Sequence, residues 1–157
     1  MHIIEKQITI SAPPEIIFRI YEDVTHWHAW DPDTQASELD NLLSLGSQGT
    51  LTPPKGNTVP IKVTAVEKNR YFTVTSKTAL FRMDSDHELT PTDAGTQVVH
   101  RVTFSGLLKP LLIMLLGAKI DKGLPVTLQN LKALAEQHAR NTQQNTQTNI
   151  QQPPTAT

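Results

Sequence analysis

Apolar positions change period along this chain. Up to about residue 105 they mostly alternate with polar ones; from 106 to 138 they recur at helical spacing. In residues 2–11, Ile4, Ile8 and Ile10 interleave with Glu5, Gln7 and Thr9, which predicts a strand with one buried face. Ala12, Pro13, Pro14 and Glu15 then predict a helix start, because a proline in the first helical turn loses no hydrogen bond and a carboxylate suits that end. Ile16, Ile17, Ile20 and Tyr21 give this helix, about 13–22, one apolar face, with Phe18 beside it. Residues 23–32, DVTHWHAWDP, predict a second short helix or turn closed by Pro32, with Trp27 and Trp30 three apart on one face. A polar strand at 33–42 and a short one at 50–52 follow, and the PPKGN cluster at 53–57 stops the second. Runs at 59–67, 70–77, 80–90 and 96–105, separated by short turns, predict antiparallel hairpins.

The helical stretch has two halves. Leu124, Leu128, Leu131 and Leu134/Ala135 form a single stripe, with Gln129, Asn130, Lys132, Glu136 and Gln137 mostly opposite. The earlier residues Leu111, Leu112, Ile113, Met114, Leu115 and Leu116 are apolar all round. A turn without a polar face is plain core, lines a cavity, or is an interface for a homodimer or a membrane surface. Gly123 and Pro125 predict a break or kink near 121–125. The pattern as a whole predicts an α+β domain over residues 1–139, with one long helix lying across one antiparallel sheet. Residues 140–157 are almost wholly Gln, Asn, Thr and Pro, have nothing to bury, and predict a disordered tail.

Strand alternation assigns the faces. Phe72, Val74 and Ser76; Phe81, Met83, Ser85, His87 and Leu89; Val98, His100, Val102 and Phe104; and Ile61, Val63 and Ala65 are expected to face the helix. Arg82, Asp84, Asp86 and Glu88 then face out, since four charges could not be desolvated together. Two histidines, His87 and His100, thus fall on otherwise apolar inward faces. Either they orient a ligand in an apolar pocket, with an imidazole also able to act as general base, or they are satisfied core residues.

Composition narrows the chemistry. The chain has 157 residues, enough for one domain, and a net charge of −1, which offers no field for nucleic acid. It has no cysteine, which excludes disulfides, thiolate metal sites and cysteine nucleophiles. His26, His28, Asp31 and Asp33 do not share a face at their spacing, so a solvated surface is expected there and no metal. No G-x-S-x-G, Walker A or G-x-G-x-x-G motif occurs. The N-terminus lacks the character of a signal peptide, and no apolar run approaches the ~20 residues of a bilayer span. A soluble, cytoplasmic protein without stable membrane insertion is expected.

Two phrases carry a family likeness. APPEIIFRIYEDVTHWHAWDP resembles the opening of the polyketide cyclase/dehydrase-like branch of the START/Bet v 1-like (SRPBCC) superfamily, and HELTPTDAGTQVVHRVTFSGLLKPLL resembles that branch's last hairpin and entry to its final helix. The resemblance covers about residues 3–138. It implies a helix-grip fold: a curved seven-stranded antiparallel sheet around a long C-terminal helix, with two short helices after the first strand. It also implies an apolar cavity between sheet and helix, and no shared catalytic set, so no catalytic residue and no cofactor is carried over. The residues expected at that cavity are His87, His100, Trp27, Trp30, Phe72, Phe81, Met83 and Phe104, with Leu112, Leu116 and Ile120 from the helix. The expected partner is a small hydrophobic molecule, lipid-like or polyketide-like, bound or carried for the most part without chemistry. The alternatives are a cyclase or dehydratase using a pocket histidine as base, and an interaction module acting through 110–116.

Overall fold

The computed structural model describes residues 2–151. Strand β1 (His2–Ile10) leads into helix α1 (Pro14–Glu22) and a short 3₁₀ segment (Val24–Ala29). Six strands follow: β2 (Ala36–Leu39), β3 (Gln48–Thr52), β4 (Val59–Glu67), β5 (Tyr71–Lys77), β6 (Arg82–Thr92) and β7 (Gly95–Ser105). They form a curved seven-stranded antiparallel sheet in the order β1-β7-β6-β5-β4-β3-β2. A terminal helical stretch lies on its concave side, built of α2 (Lys109–Leu112), a π turn (Ile113–Gly117) and α3 (Ala118–Gln151). This is the α+β, helix-grip-like architecture that the alternating and helical patterns predict.

The concave face follows the strand alternation, with one exception. A bulge between Val63 and Ala65 shifts the β4–β5 register, so Val66 pairs with Phe72 and packs on the core, while Ala65 pairs with Thr73. Ala65 is therefore not on the inward face as expected. On the opposite face Arg101 reaches Glu5 at 2.6 Å, Glu88 at 2.9 Å and Asp86 at 3.6 Å. That charge cluster keeps the carboxylates of β6 away from the helix.

The helix is held from both ends of its stripe. Leu128, Leu131 and Ala135 are fully buried against the sheet and α1. Each buried leucine contributes on the order of 1.5–3 kcal/mol. Polar ties fix the helix along β1: Lys6 pairs with Asp121 at 2.8 Å, and Lys132 Nζ donates to the Thr9 carbonyl at 3.2 Å. Gly106 makes the reversal from β7 possible: it sits at φ +97°, and a Cβ there would lie 2.7 Å from the Leu80 carbonyl oxygen.

Two expectations about the helix change. It is not broken near 121–125: α3 runs unbroken from Ala118 to Gln151 through Pro125. The irregular turn lies earlier, at Ile113–Gly117, where the wider π turn adds a residue per turn in the all-apolar segment. Gly123 has a different setting: a Cβ there would lie 2.5 Å from Asp33 Oδ2, so the Asp33 carboxylate rests against the bare backbone of the helix. At the other end, helical backbone continues past residue 140 to Gln151, where disorder is expected from sequence. Residues 140–151 are all exposed and bury no stripe; Thr142, Thr146 and Thr148 hydroxyls donate back to carbonyls four residues earlier. The rest of the expected tail, 152–157, lies outside the described residues. Among the described residues, no helix is long and apolar enough to cross a membrane.

Candidate functional site

The buried apolar residues fall into two clusters. The larger joins α1, the 3₁₀ segment, the sheet centre and the Leu128–Leu131–Ala135 stripe. The smaller joins Ile4, Val102 and Phe104 to Met83, Leu112, Ile113, Leu116, Ile120 and Leu124. Side chains from both border a cavity of about 310 Å³. Leu51, Val59, Met83, Ser85 and Val102 line it from the sheet, and Leu116, Ile120, Leu124 and Thr127 from the helix. The helical residues at 116, 120 and 124 share one side by their spacing of four. Met114 and Leu115, in the same π turn, point the other way and are 73% and 63% exposed. The cavity also borders Asp86 and Arg101. Their side chains pair with each other on the outer face, so it is their backbone that meets the cavity.

One wall is polar. The β6–β7 register sets His87 directly opposite His100, and the β5–β6 register sets Phe72 opposite His87. The His87 ring stacks flat on Phe72, with centroids 4.0 Å apart and planes 2° from parallel. The two imidazoles meet nearly edge-on, at 4.6 Å and 73°. Behind them Tyr21, fully buried on α1, places its hydroxyl 2.8 Å from His100 Nε2. His87 Nδ1 lies 3.4 Å from the Phe72 carbonyl oxygen. Burial drives the His87 conjugate acid down to about 4, against opposing hydrogen bonds to the carbonyls of Phe72 and Ser85. His100 is also held well below the ordinary histidine value, by burial first and by repulsion from His87 second. Burial pushes the Tyr21 phenol far up. At neutral pH the trio is uncharged.

The mouth has a different character, with exposed Lys55 and Lys119 at its rim. Asp31 sits inside the rim and accepts from the Thr34 hydroxyl at 2.7 Å, the Asp33 amide at 3.0 Å and the Thr127 hydroxyl at 3.2 Å. Burial raises its pKa, and these bonds hold it down. The carboxyl thereby joins the loop after the 3₁₀ segment to α3. His26 is paired with Asp23 at 2.8 Å, and Asp31 is spent on these bonds. Among the described residues, no group of three or more histidines, aspartates and glutamates converges on a metal position.

Of the residues expected at the cavity from sequence, His87, His100, Trp30, Met83, Leu116 and Ile120 border it. The others lie elsewhere. Phe72 is fully buried under His87, between Phe18, Tyr21 and Trp27. Trp27 anchors the 3₁₀ segment, donating its Nε1–H to the Tyr21 carbonyl at 2.9 Å. Phe104 and Leu112 belong to the smaller core cluster, and Phe81 lies in the turn before β6. Sequence reasoning missed Tyr21, Asp31, Thr34 and Thr127. Only Tyr21 left a signal: a phenol on the apolar face of a helix needs a buried partner for its hydroxyl. The other three depend on where a loop meets a helix, which periodicity does not encode.

Solved structures share this fold. Alignment to the Zhui aromatase/cyclase from a Streptomyces species gives a TM-score of 0.72 at 17% identity, covering 86% of this chain and 93% of that one. A protein from Mesorhizobium loti aligns with a TM-score of 0.69 at 22% identity, over 87% of this chain and 98% of that one. The di-domain ARO/CYC StfQ of the steffimycin biosynthetic pathway aligns with a TM-score of 0.69 at 15% identity, over 87% of this chain and 52% of that one. At such identities the likeness shows the fold alone. No curated protein sequence matches the chain. The model of one family, described as polyketide cyclase / dehydrase and lipid transport, matches residues 1–136. With the whole sheet and most of the packed part of the terminal helix inside that match, the chain belongs to the polyketide cyclase/dehydrase and lipid transport family.

Proposed function

We propose that this protein binds or carries a small hydrophobic molecule in the cavity between the sheet and the terminal helix. The observation that carries the reading is the cavity of about 310 Å³, walled by Leu51, Val59, Met83, Val102, Leu116, Ile120 and Leu124, with two neutral histidines on one wall and its charged groups at the mouth. Sites of this kind take affinity from apolar burial and orientation from a few fixed polar groups. The volume is at the low end of the ligand-site range, so it suits a compact fused-ring, polyketide-like molecule or a short acyl chain better than a two-chain lipid. Family membership and the likeness to an aromatase/cyclase support the same class of ligand.

A cyclase or dehydratase is the second reading, favoured by one observation: two neutral imidazoles border the cavity. Against it, a base whose conjugate acid sits near 4 is a weak proton acceptor and would suit only an acidic C–H or hydroxyl. The test is detergent-free purification followed by organic extraction and mass spectrometry. A carrier yields a near-equimolar apolar compound from the wild type and little from Ile120→Trp, which fills the cavity. Equal recovery from both proteins would refute the proposal. Loss of turnover with binding retained in His87→Phe would instead identify an enzyme.

A further inference from the structure

The polar wall has an uneven supply of hydrogen bonds. A neutral imidazole carries one N–H and one lone pair. The hydrogen bond of His87 runs from Nδ1 to the Phe72 carbonyl, which only accepts, so it uses the ring N–H and leaves the Nε2 lone pair without a donor. His100 is bonded to the Tyr21 hydroxyl. If the Tyr21 O–H donates to Nε2, every group in that pair is satisfied except the His100 Nδ1–H. With the roles reversed, the Tyr21 O–H would itself be buried without an acceptor, at a cost of about 1–3 kcal/mol. The first arrangement is therefore the stable one. Among the described residues, Trp30 Nε1 is the one sealed side-chain nitrogen or oxygen that lacks a partner. The spare lone pair of His87 and the spare N–H of His100 are therefore not sealed, and they open on the cavity that both residues border. One is an acceptor and the other a donor, on rings 4.6 Å apart.

Taking the cavity as a ligand site, we infer that the His87–His100 wall selects a ligand hydroxyl, phenolic or enolic, that donates to His87 and accepts from His100. An ether or ketone accepts only, so it leaves the His87 lone pair unpaired. A carboxylate also accepts only, and it brings a charge into a site whose histidines burial keeps neutral. A bare hydrocarbon leaves both groups unpaired. Each of these alternatives strands at least one buried polar atom, and stranded polar atoms are the basis of strong discrimination between near-isosteric ligands.

The full chain, freed of bound lipid by reversible unfolding and refolding, is titrated at pH 7 with 1-naphthol, naphthalene, 1-methoxynaphthalene and 1-naphthoate. Trp30 borders the cavity, so its fluorescence reports occupancy. Naphthalene and the methyl ether bracket naphthol in size, which separates hydrogen bonding from fit. The expected result is 1-naphthol bound about ten-fold tighter than each of the other three, the factor that one or two net hydrogen bonds supply. In His87→Phe the naphthol preference over naphthalene shrinks severalfold, because naphthol loses its acceptor and naphthalene no longer strands the His87 lone pair. The wild-type ratios stand by themselves if that variant does not fold. Saturable binding with the ether or naphthalene equal to naphthol would overturn the hydroxyl inference and leave the cavity reading intact. No saturable binding of any of the four would overturn both.

Discussion

Lowering the pH should destabilise this protein through its buried histidines, and the size can be worked out. In the unfolded chain a histidine takes its proton near pH 6.5. Folded, His87 resists it until about 4. Both His87 and His100 have folded values below their unfolded ones, so the unfolded chain binds more protons in the interval between. Their contribution is thus complete above about pH 6.5 and lost as the pH falls towards 4. At about 1.4 kcal/mol per pH unit per group, His87 alone withdraws about 2 kcal/mol between pH 6.5 and 5, and about 3 kcal/mol by pH 4. Carboxylates also titrate in this range, so the wild type is compared with His87→Phe, which keeps a flat ring over Phe72 and cannot titrate. Urea unfolding at pH 7 and pH 5 gives the free energy of each protein at each pH. The wild type should lose about 2 kcal/mol more than the variant over that interval. Equal losses in the two proteins would mean that His87 titrates normally in the fold, and the account of a neutral polar wall would fail.

Other perturbations separate packing from polar ties. Leu131→Ala, at a fully buried position on the helix stripe, should cost about 2–5 kcal/mol of unfolding free energy in the same urea assay; a cost below 1 kcal/mol would place the helix off the sheet. Asp31→Ala leaves the Thr34 and Thr127 hydroxyls and the Asp33 amide without their acceptor. It should lower stability by about 1–3 kcal/mol, and an unchanged midpoint would show that the tie between loop and helix is idle. We propose that residues 1–139 fold as a self-sufficient unit, because residues 140–151 are all exposed. A chain ended after Ala139 should keep its melting temperature within about 2 °C, and a larger drop would show that the distal helix packs on something.

Much of this fold was legible because its periods are clean. Four β-rich runs predicted from alternation correspond to β4–β7 within a few residues, and the stripe through Leu128, Leu131 and Ala135 is the buried one. The inward placement of His87 and His100 followed from parity along single strands. Their direct opposition did not, because register depends on the β6–β7 turn and on packing. Parity also failed where a bulge intervened, at Ala65. Local propensity misplaced the helix irregularity: α3 runs on through Pro125, and the π turn falls earlier, over Ile113–Gly117, where no proline marks it. Which aromatics touch the cavity was not legible. Phe72 and Phe104 have the right parity, yet both are covered by neighbouring side chains, and coverage is a three-dimensional property.

Methyl-resolved NMR can show whether an apolar molecule enters the hollow between sheet and helix. Naphthalene titrated into isotope-labelled protein should give saturable shifts at the methyl groups of Leu51, Met83, Val102, Leu116, Ile120 and Leu124. Those of exposed Leu107, Met114 and Leu115 should stay still. Shifts confined to the exposed set, or no saturable shifts at the cavity set, would contradict the account.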